Sequence, residues 1–346
     1  MQLMQYSVLN IKNKNGEITE KLKLSKLCFG SLCLGPLQSS LMLNEGAEII
    51  SRAFEHGVNF IDTAQLYKTY CYIRRAFDLS AKKTGNKDIG KSIAVSTKTY
   101  AYTRQQAKES LDEAISELGR KYIDIFMLHE QESIHTLNGH SDALEYFFEM
   151  KAKGNIKAVG ISTHNISGVL GAVEWNRTHK QQMRLDIVHP IYNIKALGIC
   201  DGNANSEIRL AEMESALKKA KESDIFIFAM KVLGGGNLFA IADKALDFVL
   251  DKPFVDSIAI GMKSFFEVDS NVRYFSERKF SREYYAGSIG VKHLHIENWC
   301  IGCGKCADIC PSNALSVEER AVCDNEKCVL CGYCSSVCKD FAIKII

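Results

Sequence analysis

Near the C-terminal end of the 346-residue chain, Cys300, Cys303, Cys306 and Cys310 follow the spacing C-x2-C-x2-C-x3-C, with Pro311 next. The same spacing returns at Cys328, Cys331, Cys334 and Cys338, so that ENWCIGCGKCADICPSNALSV is echoed by NEKCVLCGYCSSVCKDFAIKI. Two-residue gaps let three thiolates wrap one face of a compact metal cluster. Gly302, Gly304 and Gly332 permit the close backbone approach this needs. Zinc sites favour paired C-x2-C arms separated by a longer loop, not four cysteines within eleven residues, twice over. Nine of the 13 cysteines lie in this stretch, and only Cys28, Cys33, Cys71 and Cys200 precede it. A secreted disulfide scaffold does not segregate its cysteines in this way, so the cluster reads as metal binding in a reducing compartment.

In two-cluster ferredoxins the fourth cysteine of each run ligates the other cluster. That rule assigns Cys300, Cys303, Cys306 and Cys338 to one 4Fe-4S cluster, and Cys328, Cys331, Cys334 and Cys310 to a second. Lys339 stands where proline often follows the last cysteine, which removes no ligand. Cys323 falls outside the pattern and reads as a spare thiol or an alternative ligand.

The preceding 287 residues alternate short apolar runs with amphipathic stretches. The strand candidates are Leu27–Gly35, Asn59–Thr63, Ser92–Lys98, Ile123–His129, Ala158–Ser162, Asp186–Tyr192, Ile225–Lys231 and Ser257–Gly261. Short and uniformly hydrophobic, they suit parallel strands buried on both faces. Thr103 and Gln106 form a capping box, with Leu111, Ile115 and Leu118 on the buried face before Gly119. Asn44 is positioned to cap a helix buried through Ile49, Ile50, Ala53 and Phe54. Further helices are expected from Ser141 to about Gly154, from Ser206 to Ser223 and from Ile241 to Leu250. Eight strand–helix repeats favour an α/β fold of the (β/α)8 TIM-barrel type. No G-x-G-x-x-G follows a strand, which disfavours a Rossmann domain. The expected organisation is a TIM barrel over 1–287, a linker over 288–295 and a small α+β ferredoxin-type domain over 296–346.

In order and at barrel spacing, the segments NFIDTAQLY, VSTK, YIDIFMLH and VGISTHN resemble the aldo-keto reductase family. The resemblance covers most of residues 20–275 and implies a catalytic set of Asp62, Tyr67, Lys98 and His129. Tyr67 would protonate a carbonyl oxygen as hydride arrives. Lys98, paired with Asp62, would bring the phenol's pKa closer to neutrality, and His129 would orient the carbonyl. The resemblance also implies NADPH or NADH across the barrel mouth. Ser162 and Asn193 would hold the carboxamide, and Tyr192 would stack on the ring. Lys231, Gly234, Gly235, Gly236, Gly261, Met262, Lys263, Ser264 and Asn271 would lie along the phosphates and adenosine.

There are departures from the family pattern. KTYCYIRRAF after Tyr67 lacks the usual Gly-x-Ser-Glu. His189-Pro190 replaces a glutamine region. Glu267 would repel a 2′-phosphate whereas Lys263 would attract one, leaving NADH versus NADPH open. A hydride carries two electrons and each cluster one. The chain is therefore read as a carbonyl–alcohol oxidoreductase exchanging electrons with a ferredoxin or flavodoxin-type carrier. Two alternatives stay open: a reductase coupled by FMN or another flavin seated in the phosphate loops, and an electron-carrying or redox-sensing subunit. A net charge of +2 gives no reason to expect nucleic acid. Without a long apolar run or a leader-like N-terminus, no membrane partner is expected and the location is expected to be cytoplasmic.

Overall fold

The eight apolar runs form the eight parallel strands of a closed barrel. The computed structural model describes residues 4–280, 293–310, 312–328 and 333–345. An N-terminal hairpin, β1 (Tyr6–Lys12) and β2 (Ile18–Ser25), precedes the barrel. The barrel strands are β3 (Leu27–Gly30), β4 (Phe60–Asp62), β5 (Ala94–Thr99), β6 (Ile123–Leu128), β7 (Ile156–Thr163), β8 (Ile187–Pro190), β9 (Phe226–Ala229) and β10 (Ser257–Gly261). They follow one another in chain order around the barrel, and β10 closes on β3.

Side chains alternate along a strand, so each strand serves two layers. Cys28, Phe60, Ala94, Ile125, Met127, Ala158, Ile187, Phe226 and Phe228 fill the interior. Their neighbours Phe29, Ile61, Val95, Phe126, Val159, Val188, Ile227 and Ile258 face outward to the helices. Leu9, Ile11, Leu22 and Leu24 of the hairpin pack into the same interior cluster and cover the end of the barrel remote from the strands' C-termini. The sequence reading missed this hairpin, although its alternating leucines and isoleucines around Asn-Lys-Asn-Gly carry the signal.

The capping box at Thr103 and Gln106 forms, and its helix, Arg104–Leu118, ends at Gly119 in the left-handed conformation. Helices also span Ser141–Ala152, Ser206–Glu222 and Ala242–Leu250. Asn44 does not cap its helix. The helix starts one residue earlier, at Leu43, and the Asn44 amide oxygen accepts from Arg75 Nε instead.

In the C-terminal region, β11 (Leu294–Ile296) pairs antiparallel with β14 (Ile343–Ile345), and β12 (Leu315–Val317) with β13 (Ala321–Cys323). Short helices at Lys305–Asp308 and Tyr333–Val337 complete it. β11 includes Leu294 and His295, which the sequence reading gave to the linker. Residues 288–292 of that linker, together with Pro311, Cys331 and Gly332, lie outside the described residues.

Candidate functional site

The alternation that fills the barrel also sets its mouth. Extending each inward-facing series to the C-terminal end of its strand gives Asp62 on β4, Lys98 on β5, His129 just past β6, Ser162 on β7, His189 on β8, Met230 just past β9 and Gly261 on β10. Tyr67 ends a 3-10 turn, Gln65–Tyr67, immediately after β4.

These residues converge. Lys98, 1 % exposed, places Nζ 2.7 Å from both carboxylate oxygens of Asp62 and 2.7 Å from the Thr63 carbonyl. The Tyr67 ring stands 5.1 Å from the ammonium and meets His129 edge-on at 5.7 Å. Tyr100 stacks on the other side of His129 at 4.5 Å and donates to Glu130 Oε2 at 2.5 Å.

The electrostatics depart from the expectation for Tyr67. Burial raises its pKa well above the phenol value, and Asp62, Glu130 and Tyr100 add to the effect. The Lys98 charge does not offset it, because the Asp62 carboxylate paired with that ammonium at 2.7 Å opposes it. Tyr67 is therefore held as a neutral phenol, the protonated form of a general acid. Burial, helped by Lys98 and neighbouring His164, His189 and Lys231, drives the His129 pKa well down, so the imidazole is neutral. His129 Nδ1 has no hydrogen-bond partner among the described residues.

His189 was noted in the sequence only as a departure. Its Nδ1 lies 2.6 Å from the Phe228 carbonyl, which can only accept, so Nδ1 carries the proton. Nε2 faces Asp62 Oδ2 at 3.7 Å. Burial lowers the His189 pKa to about 4 against the opposing pull of Asp62.

A cavity of about 320 Å³ runs from Asp62, Tyr67 and His189 along Met230, Lys231, Gly235 and Gly236 to Gly261, Lys263 and Glu267. It contains several of the residues expected along a nucleotide. Others are placed differently. The Tyr192 ring turns into the outer layer beside Phe248 and Phe254, with its hydroxyl donating to Glu214, and Met230 occupies the mouth instead. The reason is parity, since the chain leaves β8 at Pro190 and Tyr192 then faces the helices. Asn193 spends its amide on its own loop and on the segment after β9, donating to Leu197 O and Lys231 O and accepting from the Lys195 and Leu197 N–H groups. Ser162 accepts from Glu130 N and keeps its hydroxyl proton to donate. Gly234 and Met262 are buried beside the cavity. Ser264 caps the helix Phe265–Glu277, while Asn271 within that helix donates to Glu267 O. Burial raises the pKa of Glu267, which accepts from Lys263 N at 2.7 Å.

Lys231 has a left-handed backbone (φ 55°) and donates to His164 Nε2 at 3.0 Å. Among the described residues no carboxylate reaches it within ion-pair distance. Burial, then Lys344, lowers its pKa to about 8.

In the C-terminal region Cys300, Cys303, Cys306 and Cys338 line one cavity, three thiols from the first run and one from the second. Backbone N–H groups point at sulfur: Ala321 at Cys300 (3.4 Å), Ala342 at Cys338 (3.2 Å) and Ala314 at Cys310 (3.3 Å). The Cys323 thiol lies against Cys328, near Cys334 and Cys310. Cys331 is outside the described residues.

A parallel barrel with an Asp–Lys pair, a neutral Tyr and a neutral His at its mouth defines an oxidoreductase-type site of the (β/α)8 class. Residues 26–244 match the aldo/keto reductase family, and residues 299–342 match the 4Fe-4S dicluster domain. The chain belongs to the aldo/keto reductase family and carries a C-terminal 4Fe-4S dicluster ferredoxin domain. It is 22 % identical to an uncharacterized oxidoreductase, YqkF, of Bacillus subtilis over 291 residues, covering 76 % of this chain and 92 % of that one. It is 26 % identical to D-arabinose 1-dehydrogenase of Saccharomyces cerevisiae over 183 residues, covering 50 % and 51 %. Two solved structures share the fold. A putative aldo-keto reductase from Pseudomonas aeruginosa has a TM-score of 0.60 at 17 % identity and covers 80 % of this chain and 98 % of its own. An aldo-keto reductase from Bacillus halodurans in its holo form has a TM-score of 0.60 at 18 % identity, covering 82 % and 96 %. No helix among the described residues is long and apolar enough to cross a membrane.

Proposed function

We propose that the protein interconverts a carbonyl and an alcohol with a nicotinamide cofactor and exchanges electrons through two 4Fe-4S clusters. The observation that carries the reading is the convergence of Asp62, Lys98, Tyr67 and His129, of which Asp62 and Tyr67 line one end of a cavity whose other end is built from the loops after β9 and β10. Such loops, with left-handed glycines and exposed amides, suit phosphate.

The residues fit a nicotinamide in part. Gly235, Gly261 and Lys263 line the far end of the cavity, and Ser162 retains a donor. Tyr192 and Asn193 do not take part, and Met230 is the side chain left to cover the ring. A bound nicotinamide would supply or accept a hydride. Tyr67 holds the proton for the carbonyl oxygen, and its raised pKa keeps that proton in place until oxygen charge develops. Neutral His129 presents a ring N–H to the same oxygen, and the Asp62–Lys98 pair fixes the turn that carries Tyr67.

Cys300, Cys303, Cys306 and Cys338 would hold one cluster, and Cys310, Cys328, Cys331 and Cys334 the other. N–H groups aimed at Cys300, Cys310 and Cys338 are the donors a thiolate ligand calls for. Each cluster would take up or release one electron, so two together would carry the electron pair of one hydride, with its proton exchanged with solvent. The domains are proposed to divide at about residues 288–293, with an external electron carrier as partner.

The test is iron and sulfide analysis of anaerobically purified protein, followed by a carbonyl-reduction assay with wild type and Tyr67→Phe. Eight irons per chain and a Tyr67-dependent rate support the reading. A rate untouched by Tyr67→Phe removes the proposed acid.

A further inference from the structure

Phe341 belongs to the ferredoxin domain by sequence and to the barrel by packing. It is 4 % exposed and joins the barrel's outer core, while the ferredoxin domain's own apolar cluster, built on Leu294, Leu315, Ala321 and Ile343, does not include it. Its socket is specific. Gly198 has φ 74°, and a Cβ there would stand 1.2 Å from the Phe341 ring, so any other residue excludes the ring. The Lys231 ammonium lies 4.2 Å from the ring centroid and the His164 ring 6.2 Å away. Beside them the Cys200 thiol donates to Lys339 O at 3.6 Å.

This docking makes Cys338–Ile345 a wall shared by two cavities. Cys338, Asp340 and Ala342 face the cavity that holds Cys300, Cys303 and Cys306. Phe341, Lys344 and Ile345 face the barrel mouth with Tyr67 and Lys231. From ring to sulfur the path is one residue long, because Ala342, next to Phe341, donates its N–H to Cys338 Sγ. Cys310, Cys328 and Cys334 line neither the mouth cavity nor this wall.

We infer that Phe341 is a positioning residue, a plug that sets the Cys300–Cys303–Cys306–Cys338 cavity, rather than the thiols of Cys310, Cys328 and Cys334, against the barrel mouth. The inference rests on the reading that each of the two cysteine sets holds a cluster. The mouth-side cluster is then the port through which the barrel exchanges electrons, and the outer cluster is the port for an external carrier.

The test needs neither substrate nor nicotinamide. A positive charge stabilises the reduced state of a near cluster more than that of a far one. Lys231→Met removes the ammonium that lies on the Phe341 ring. The measurement is an anaerobic potentiometric titration of the intact chain at pH 7, followed by EPR. Cys303→Ser identifies the mouth-side signal by altering it, and Cys328→Ser identifies the outer one if the first variant fails to assemble. The expected result is that Lys231→Met makes the mouth-side cluster harder to reduce by a larger shift than it causes at the outer cluster. Gly198→Leu, which displaces Phe341, should shrink that difference. Movement of the outer cluster alone, equal movement of both, or movement of neither overturns the inference. Protein purified anaerobically without iron and sulfide would instead remove the cluster reading, and the inference with it.

Discussion

Lys98 gives all three of its ammonium protons to Asp62 and the Thr63 carbonyl, each at 2.7 Å, and so has none for Tyr67. The pair is a buried strut for the turn after β4. Removing one partner leaves an uncompensated buried charge, which costs about 3–5 kcal/mol. Lys98→Met should therefore lower stability in urea by that order, and Asp62→Leu combined with Lys98→Met should recover most of it. A single variant as stable as wild type would show that the pair is not the strut described.

Tyr67→Phe removes a proton and keeps the ring beside His129. Carbonyl reduction should fall about 100- to 10,000-fold, with nicotinamide binding by fluorescence little changed. A comparable loss of binding would instead make Tyr67 a structural residue.

Burial keeps His189, His129 and His164 neutral in the folded chain, with His189 lowered to about 4 and the other two well below the usual histidine value. In the unfolded chain they take up protons near pH 6.5. Between about 6.5 and 4 the unfolded state therefore binds more protons, and stability falls as pH falls through that window. Each histidine contributes up to about 1.4 kcal/mol per pH unit. Urea midpoints at pH 7 and pH 5 should differ less in His189→Gln than in wild type. Equal differences would contradict the assignment.

Glu267 and Lys263 share the far end of the cavity, with the Glu267 carboxylate bound to Lys263 N. A 2′-phosphate placed there meets a carboxylate. Glu267→Gln should raise the NADPH-to-NADH preference about tenfold, the equivalent of roughly 1.4 kcal/mol, read as the ratio of kcat/KM values. An unchanged ratio would place the adenosine elsewhere.

The sequence was most legible where one local rule suffices. Eight buried apolar runs announced eight parallel strands, and the family resemblance of NFIDTAQLY, VSTK and VGISTHN pointed to Asp62, Lys98 and Ser162 at their C-terminal ends. It was least legible beyond the ends of the strands. Tyr192 lies two residues beyond β8 and faces the helices. Asn193 folds back on its own loop. The roles of His164 and Gly198 depend on Phe341, more than 140 positions later in the chain. No local pattern reports such a contact, although a left-handed glycine in a loop and a buried lysine with no carboxylate in ion-pair reach among the described residues are traces of it. The pKa argument for Tyr67 failed for a related reason. It counted the charge of Lys98 but not the burial of the phenol or the opposing charge of Asp62.

The most direct test of the central claim is an anaerobic absorption titration of the purified protein with NADH and then with NADPH. The account predicts that one of them bleaches the visible cluster band, with two electrons taken up per nicotinamide oxidised, and that the bleaching identifies the cofactor. A band untouched by either nucleotide, yet bleached by dithionite, would contradict the claim that barrel and clusters share electrons.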